Sequence, residues 1–369
     1  KNDEDNDKDA FIMSIYSVLG AGNGGQALSS LLKRMGHEVH LWNRGSATIN
    51  ALNSLGAIEL KGQCHVKAKL DLITTHLEDA VRDAEIIFIV IPANAHREIA
   101  LRMGRFVGNK QAIILNPGRT GGVLEFIQGL TEAGSYSLPL VMETQSLLCA
   151  CRAHAPGILD ILSFKRENTI SGIPRSRIED LLPQLNSIYG NLKLANTTLE
   201  TGLDNIGAIL HPTPVLLNSG WIESRDVFFP HYYYGISRSV AALVEKIDSE
   251  RLQVARKYGV AVSSVKQWHE NNYGFKGRDL YETLQGNSAY ASIDAPRTLT
   301  HRYLTEDIPT GLVPISELGR TAGVPTPHID MMIELGNAML NVDFRKNGRN
   351  LKRLGLEGKG IEEIRRSFA

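Results

Sequence analysis

Three short stretches carry the residues best suited to chemistry. Gly20-Ala21-Gly22-Asn23-Gly24-Gly25 matches G-x-G-x-x-G at Gly20, Gly22 and Gly25. In that pattern the first glycine permits a tight turn, the second lets a pyrophosphate approach the backbone, and the third allows close helix–strand packing. Asn23 and Gly24 would then open a helix whose N-terminus attracts phosphate charge. His211-Pro212-Thr213-Pro214 sets an imidazole inside the apolar stretch 206–217. An imidazole suits proton transfer, and a histidine beside prolines is poor helix interior; it reads either as structural or as an acid–base group. His301-Arg302-Tyr303-Leu304-Thr305-Glu306-Asp307 concentrates ionisable groups, as a site or a solvated loop would.

The elements that must position these residues follow from periodicity. Ile15 to Leu19 reads as a buried strand, and Ala27, Leu28, Leu31, Leu32 and Met35 recur at helical spacing after the glycine turn. Val39 to Trp42, Ile86 to Ile91, Ala112 to Leu115 and Leu140 to Met142 read as further strands, with helices over 93–106 and 122–130. Apolar strands alternating with helices imply a doubly wound parallel sheet covered on both faces. Residues 146–171 suggest an antiparallel addition, followed by a helix from about Arg175 to Tyr189. Helical patterns then cover 237–258, 315–320 and 329–340. The expected fold is an α/β N-terminal Rossmann-type domain over 13–195, then a mainly α-helical domain over 196–369. Residues 1–12 are almost wholly polar and are expected to be a disordered extension.

Bulk properties narrow the partners. The 369 residues carry 40 Lys+Arg and 40 Asp+Glu, so there is no electrostatic case for nucleic acid or an anionic membrane surface. The longest apolar run, Ile86 to Ala93, is too short to span a bilayer, and the start lacks the pattern of a secretory signal. Three cysteines do not make a disulfide framework; a cytoplasmic protein with small-molecule partners is expected, and a homo-oligomer stays open. Cys149-x-Cys151-x-x-His154 lacks the second ligand pair that a zinc site wants, so no metal is expected. Tyr232-Tyr233-Tyr234 reads as pocket wall or core, and 345–353 as a solvated basic face.

Cofactor choice depends on the end of the second strand. An acid there would bind the ribose 2′-hydroxyl of NAD, yet the chain has Asn43-Arg44-Gly45-Ser46. Arg44 and Ser46, with Asn43, could hold a 2′-phosphate, so NADP(H) is expected over NAD(H); the alternative is a solvated turn. In such folds chemistry gathers at the carboxyl ends of the strands. The loops there are Pro92-Ala93-Asn94, Asn116-Pro117-Gly118-Arg119-Thr120-Gly121-Gly122 and Glu143-Thr144. Pro92 is assigned to the cofactor site.

Several segments together resemble the octopine/nopaline, or opine, dehydrogenase family. They are Val18 to Gly25, Leu115 to Gly122, Glu143-Thr144, His211 to Pro214, His301 to Asp307 and Thr310 to Pro314. The resemblance runs from about Ser17 to the C-terminus. It implies the reductive condensation of an amino acid with a 2-oxo acid, through an imine reduced by NADH or NADPH. It further implies that His211 and Asp307 are catalytic and that Arg302 binds a substrate carboxylate; Thr144 is assigned to the substrate site. Family members that use NAD carry an acid after the second strand, and Asn43-Arg44 departs from that. Two other readings stay open: a 2-hydroxy acid or sugar-phosphate dehydrogenase, and a non-catalytic NADPH-binding sensor. The lack of lysine between Ala195 and Glu245 argues against the first.

Overall fold

Alternate side chains of each strand must find apolar cover on opposite faces, and here both faces are covered. In β1 (Ile15–Leu19) Tyr16 and Val18 enter one buried cluster, and Leu19 enters the other. In β6 (Ile86–Ile89) Ile86 and Phe88 divide from Ile87 and Ile89 in the same way. The computed structural model describes residues 13–224, 228–291 and 293–369; the proposed extension 1–12 lies outside them.

The remaining strands are β2 (Glu38–Trp42), β3 (Ile58–Gly62), β4 (Val66–Ala68), β5 (Leu72–Thr74), β7 (Ala112–Leu115), β8 (Leu140–Thr144), β9 (Cys149–Ala155), β10 (Ile158–Phe164), β11 (Asn168–Ile173) and β12 (Leu192–Leu194). An eight-stranded sheet runs β12-β11-β8-β7-β6-β1-β2-β5. From β5 to β8 all its pairings are parallel; β11 then joins β8 antiparallel. Every loop after β1, β2, β6, β7 and β8 therefore opens on one edge.

The antiparallel addition expected over 146–171 divides between two sheets. Only β11 joins the large one; β9 and β10 pair antiparallel and meet β3 in a four-stranded sheet, β4-β3-β10-β9. This small sheet packs on helix Asn23–Arg34. Gln26, buried in that helix, ties the two together: its Nε2 donates to Ala21 O at 2.7 Å and its Oε1 accepts from Gly157 N at 2.8 Å. The helix expected over 93–106 is shorter, a 3₁₀ turn Ala93–Ala95 leading into His96–Met103.

Beyond β12 every regular element among the described residues is helical. The longest helix is Arg238–Lys257, capped by the Ser237 hydroxyl accepting from Val240 N. Helices Val313–Thr321 and Pro327–Leu340 pack with it around a third apolar cluster. No helix among the described residues is long and apolar enough to cross a membrane.

The basic stretch 345–353 is not simply a solvated face. Arg349 is 1% exposed and reaches the sheet edge. Its Nε donates to Glu125 Oε2 at 2.6 Å, its Nη1 to Gly118 O and Thr120 O, and its Nη2 to Ala93 O. A charge pattern alone cannot show that a buried carboxylate and three loop carbonyls will meet one guanidinium. Breaking one side of a buried pair costs about 3–5 kcal/mol; here Glu125 would keep only its pairing with the partly exposed Arg353, and three loop carbonyls would lose their donor. Arg349→Met should lose about that much stability in urea denaturation; a loss below about 1 kcal/mol would contradict the role given to Arg349.

Candidate active site

The glycine turn after β1 has the shape its spacing predicts. Gly20 has φ of +117°, and a Cβ there would fall 2.3 Å from Val90 O. A Cβ on Gly25 would fall 1.7 Å from Gly20 O, so helix and turn pack too closely for any side chain. A Cβ on Gly22 would meet nothing within 4 Å. That open approach to the backbone, at the N-cap of helix Asn23–Arg34, fits a dinucleotide pyrophosphate. Asn23 and Gly24 form the first turn of this helix.

Asn43 braces the turn, its Oδ1 accepting from Ala21 N at 3.3 Å. Beside it a cavity is lined by Trp42, Asn43, Arg44, Pro92, Glu98 and Arg102, among others. Ser46 opens the neighbouring helix Ser46–Leu55. Two members of this cavity, Glu98 and Arg102, come from outside the turn that follows β2. Glu98 pairs with Arg44 at 3.3 Å and with Arg102 at 3.9 Å, and Arg102 lies over the Trp42 ring at 5.4 Å. Glu98 and Arg102 belong to helix His96–Met103, far from β2 in sequence.

The second cluster forms where the helical half meets the sheet edge. Helix Ile206–Leu210 starts at Asn205, whose Oδ1 accepts from Ala208 N, and ends at His211, where Pro212 begins a second helix, Pro212–Leu217. His211 thus sits at the junction of the two helices. Asp307 caps a π-helical turn, Ile308–Leu312, that follows the short helix Arg302–Thr305. Such a turn re-aims side chains relative to an α-helix. The two segments lie so close that a Cβ on Gly311 would sit 2.3 Å from the Ala208 Cβ.

This close packing brings His211 Nδ1 to 2.8 Å from Asp307 Oδ2. Asp307 is 1% exposed and His211 19% exposed. Burial acts to raise the Asp307 carboxyl, but Arg119 and His211 outweigh it and hold it below the ordinary carboxylate range. An ionised carboxylate only accepts, so the Nδ1 of His211 donates and its Nε2 is left as the acceptor. Tyr303 stacks on the imidazole with centroids 4.1 Å apart.

Arg119 sits among the acids. Its Nε donates to Glu306 Oε1 at 3.5 Å, its Nη1 donates to Asn205 Oδ1 at 3.3 Å, and Asp307 Oδ1 lies 3.9 Å from Nη2. Its φ of +66° is unusual for a side-chain-bearing residue. Glu306 also accepts from Ala93 N at 3.2 Å and from Arg302 Nε at 2.7 Å. Sequence order hides these partners, because the loop and the acids are far apart along the chain.

A cavity of about 150 Å³ opens beside His211, lined also by Arg119, Gln145, Lys165, Asp204 and Trp268. Arg302 does not line it; it is 47% exposed with one edge of its guanidinium on Glu306. Thr144 lies beneath the wall, its hydroxyl 2.9 Å from both Asn116 Oδ1 and Ser146 O. Tyr232 is buried and stacks on Tyr290, which does line the cavity. Among the described residues no group of His, Cys, Asp or Glu side chains is arranged to hold a metal.

Comparisons with known proteins identify the family. A family model for the NAD/NADP octopine/nopaline dehydrogenase alpha-helical domain matches residues 194–340. A model for the NAD-dependent glycerol-3-phosphate dehydrogenase N-terminus matches residues 16–135. An opine dehydrogenase of Arthrobacter sp. (strain 1C) is 40% identical over 351 residues, 95% of this chain and 97% of that protein. The chain belongs to the opine dehydrogenase family. It is an NAD(P)-dependent oxidoreductase acting on CH–NH bonds, and this family's reaction condenses an amino acid reductively with a 2-oxo acid. Protein ocs of Agrobacterium tumefaciens (strain Ach5) is 28% identical over 96% of this chain and 99% of its own length. A solved octopine dehydrogenase with NADH and L-arginine superposes with a TM-score of 0.79 at 23% identity, over 96% of this chain and 98% of that one. A yersinopine dehydrogenase with NADP+ bound gives 0.74 at 15% identity, over 96% and 97%. At such identities these two structures speak for the fold alone.

Glu143, at the end of β8, offers a test of how tightly the loop after β7 is packed. A Cβ on Gly118 would lie 2.0 Å from its Oε2, and Thr201 Oγ1 donates to its Oε1 at 2.5 Å. Burial pushes its carboxyl from 4.5 up to about 7, against the Thr201 hydrogen bond and Arg349. Folded chains thus hold a proton that unfolded chains release, and stability falls as pH rises through the window between about 4.5 and about 7. Glu143→Gln should flatten that part of the stability profile in urea denaturation. An unchanged slope would show that Glu143 does not titrate there.

Proposed function

We propose that this opine dehydrogenase uses NADPH in preference to NADH, with His211 as the acid–base group, Asp307 as its partner and Arg302 as a carboxylate binder. In this reading 13–195 is the nucleotide domain and 196–369 the substrate domain. The observation that carries it is the 2.8 Å contact of His211 with the buried Asp307, facing a cavity at the sheet's ligand edge.

The amine of the amino acid adds to the 2-oxo acid carbonyl and loses water to give an imine. The bound nicotinamide supplies the hydride. His211 Nε2 relays the protons released by the amine nitrogen to the carbonyl oxygen, which leaves as water, and passes a further proton from solvent to the imine nitrogen as the hydride arrives, while Asp307 keeps the proton on Nδ1. Arg302 has its Nε and Nη2 on Glu306; its other edge is left for a carboxylate. Arg119 holds Asp307 and Glu306 in place. Thr144 supports the wall through Asn116 and Ser146 rather than by direct contact.

General acid–base catalysis contributes roughly 10²- to 10⁴-fold. His211→Ala should lower kcat by about that factor with NADPH binding retained, as read by nucleotide fluorescence. NADPH oxidation should require an amino acid and a 2-oxo acid together, with a secondary amine bearing both carboxylates as product. Turnover with a 2-oxo acid alone would make the protein a hydroxy-acid dehydrogenase. Nucleotide binding without turnover for any pair would favour a sensor.

Support for NADPH comes from Arg44 and Arg102 around Trp42, with no acid at the end of β2. Glu98 occupies these cations in the structure and must give way to a 2′-phosphate. The enzyme should show higher kcat/KM with NADPH; Arg44→Asp should erase the preference and Glu98→Gln should strengthen it. Equal kcat/KM for both nucleotides in the unmodified enzyme would refute this preference.

A further inference from the structure

An opine carries two carboxylates, one from each precursor, and Arg302 accounts for one. The cations near His211 differ in what already neutralises them. Arg119 is shared between Glu306, Asp307 and Asn205, and Arg302 leans on Glu306. Lys165 is different: it lines the cavity beside His211, and among the described residues no carboxylate lies within ion-pair distance of its ammonium. Its partners are aromatic faces, Trp268 at 5.2 Å and Tyr273 at 5.5 Å. Such contacts hold the side chain in place but leave its N–H donors available to an anion.

The neighbouring groups do not compete for that anion. His269 has both ring nitrogens committed: Nδ1 donates to Val265 O at 2.8 Å, and Nε2 accepts from Tyr290 Oη at 2.7 Å. Burial holds its imidazole down to about 4, and Lys165 adds to this, so the ring is neutral. Asp204, on the same wall, has Oδ2 occupied by Gln145 Nε2 at 2.7 Å.

Resting on the reaction proposed above, we propose that Lys165 is the specificity-determining anchor for the α-carboxylate of the amino-acid substrate. The oxo acid carbon receives the hydride, so that substrate lies toward the nucleotide. Arg302 stands on that side, tied through Glu306 to Ala93 N beside Pro92. Lys165 stands against Trp268 in the helical half, where the amine-bearing partner must sit.

The test compares each amino acid with the primary amine that lacks its carboxylate, at fixed 2-oxo acid and NADPH. Lys165→Met keeps an apolar stem against the rings and removes the charge; losing a hydrogen bond to a charged group costs about 10- to 100-fold. KM for the amino acid should rise by about that factor, with KM for the 2-oxo acid and for NADPH within about twofold. The decarboxylated amine should react poorly and equally in both enzymes, and Lys165→Arg should restore amino-acid KM. An unchanged amino-acid KM, or a rise confined to the 2-oxo acid, would overturn the assignment. Calorimetric titration of the amino acids onto the NADP+-saturated chain reads the same site without turnover. Binding weakened by Lys165→Met supports the anchor even if no opine forms, which would refute only the reaction. Binding unaffected by it, or no binding to the unmodified chain, refutes the anchor.

Discussion

Two adjacent carboxylates, Glu306 and Asp307, are each 1% exposed at the seam between the sheet edge and the helical half. Buried charge of that density must be met by cations and N–H donors. Each donor comes from a different segment: Arg119 from the loop after β7, Ala93 N from the loop after β6, Arg302 from the preceding turn, and His211 from a helix junction. Satisfying the pair therefore assembles the site. The charge that keeps Asp307 ionised is also what sets the His211 tautomer.

A second buried ion pair, Arg349 with Glu125, closes the same seam from the C-terminal side. Arg349 donates to carbonyls of both strand-end loops, at Ala93 and at Gly118 and Thr120. The loops that flank the nucleotide edge are thus held by two networks from the helical half. The sheet's ligand edge and the helical segment that carries His211 are thereby fixed relative to one another, and fixed geometry is what brings two reacting groups together.

Legibility in the sequence followed locality. The glycine turn and the strands β1, β2, β6, β7 and β8 were readable because each rests on contiguous spacing. His211 stood out because prolines interrupt an apolar run. By contrast, the short strands β3 and β4 carry too few residues to show a period, and their pairing with β10 is long-range. Arg119 lies in a loop already singled out, but its partners are 86 and 187 residues away. Glu98 reaches the Arg44 side chain from a different βα unit, so inspection of the end of β2 alone overstates the positive charge there. Lys165, Trp268 and Tyr290 share a cavity only after the small sheet and the helical half come together. Arg302 shows the reverse: the motif is plain in sequence, but its contact with Glu306 and its place outside the cavity wall are not.

Buried Asp307 should fix the proton on Nδ1 of His211 and leave Nε2 free to accept. The most direct measurement is the ¹⁵N spectrum of histidine-labelled protein at alkaline pH, with His211 assigned by the signals lost in a His211 variant. The expected result is a protonated Nδ1 and an unprotonated Nε2 for His211, the reverse of the commoner free tautomer. A His211 ring protonated mainly at Nε2 would contradict it.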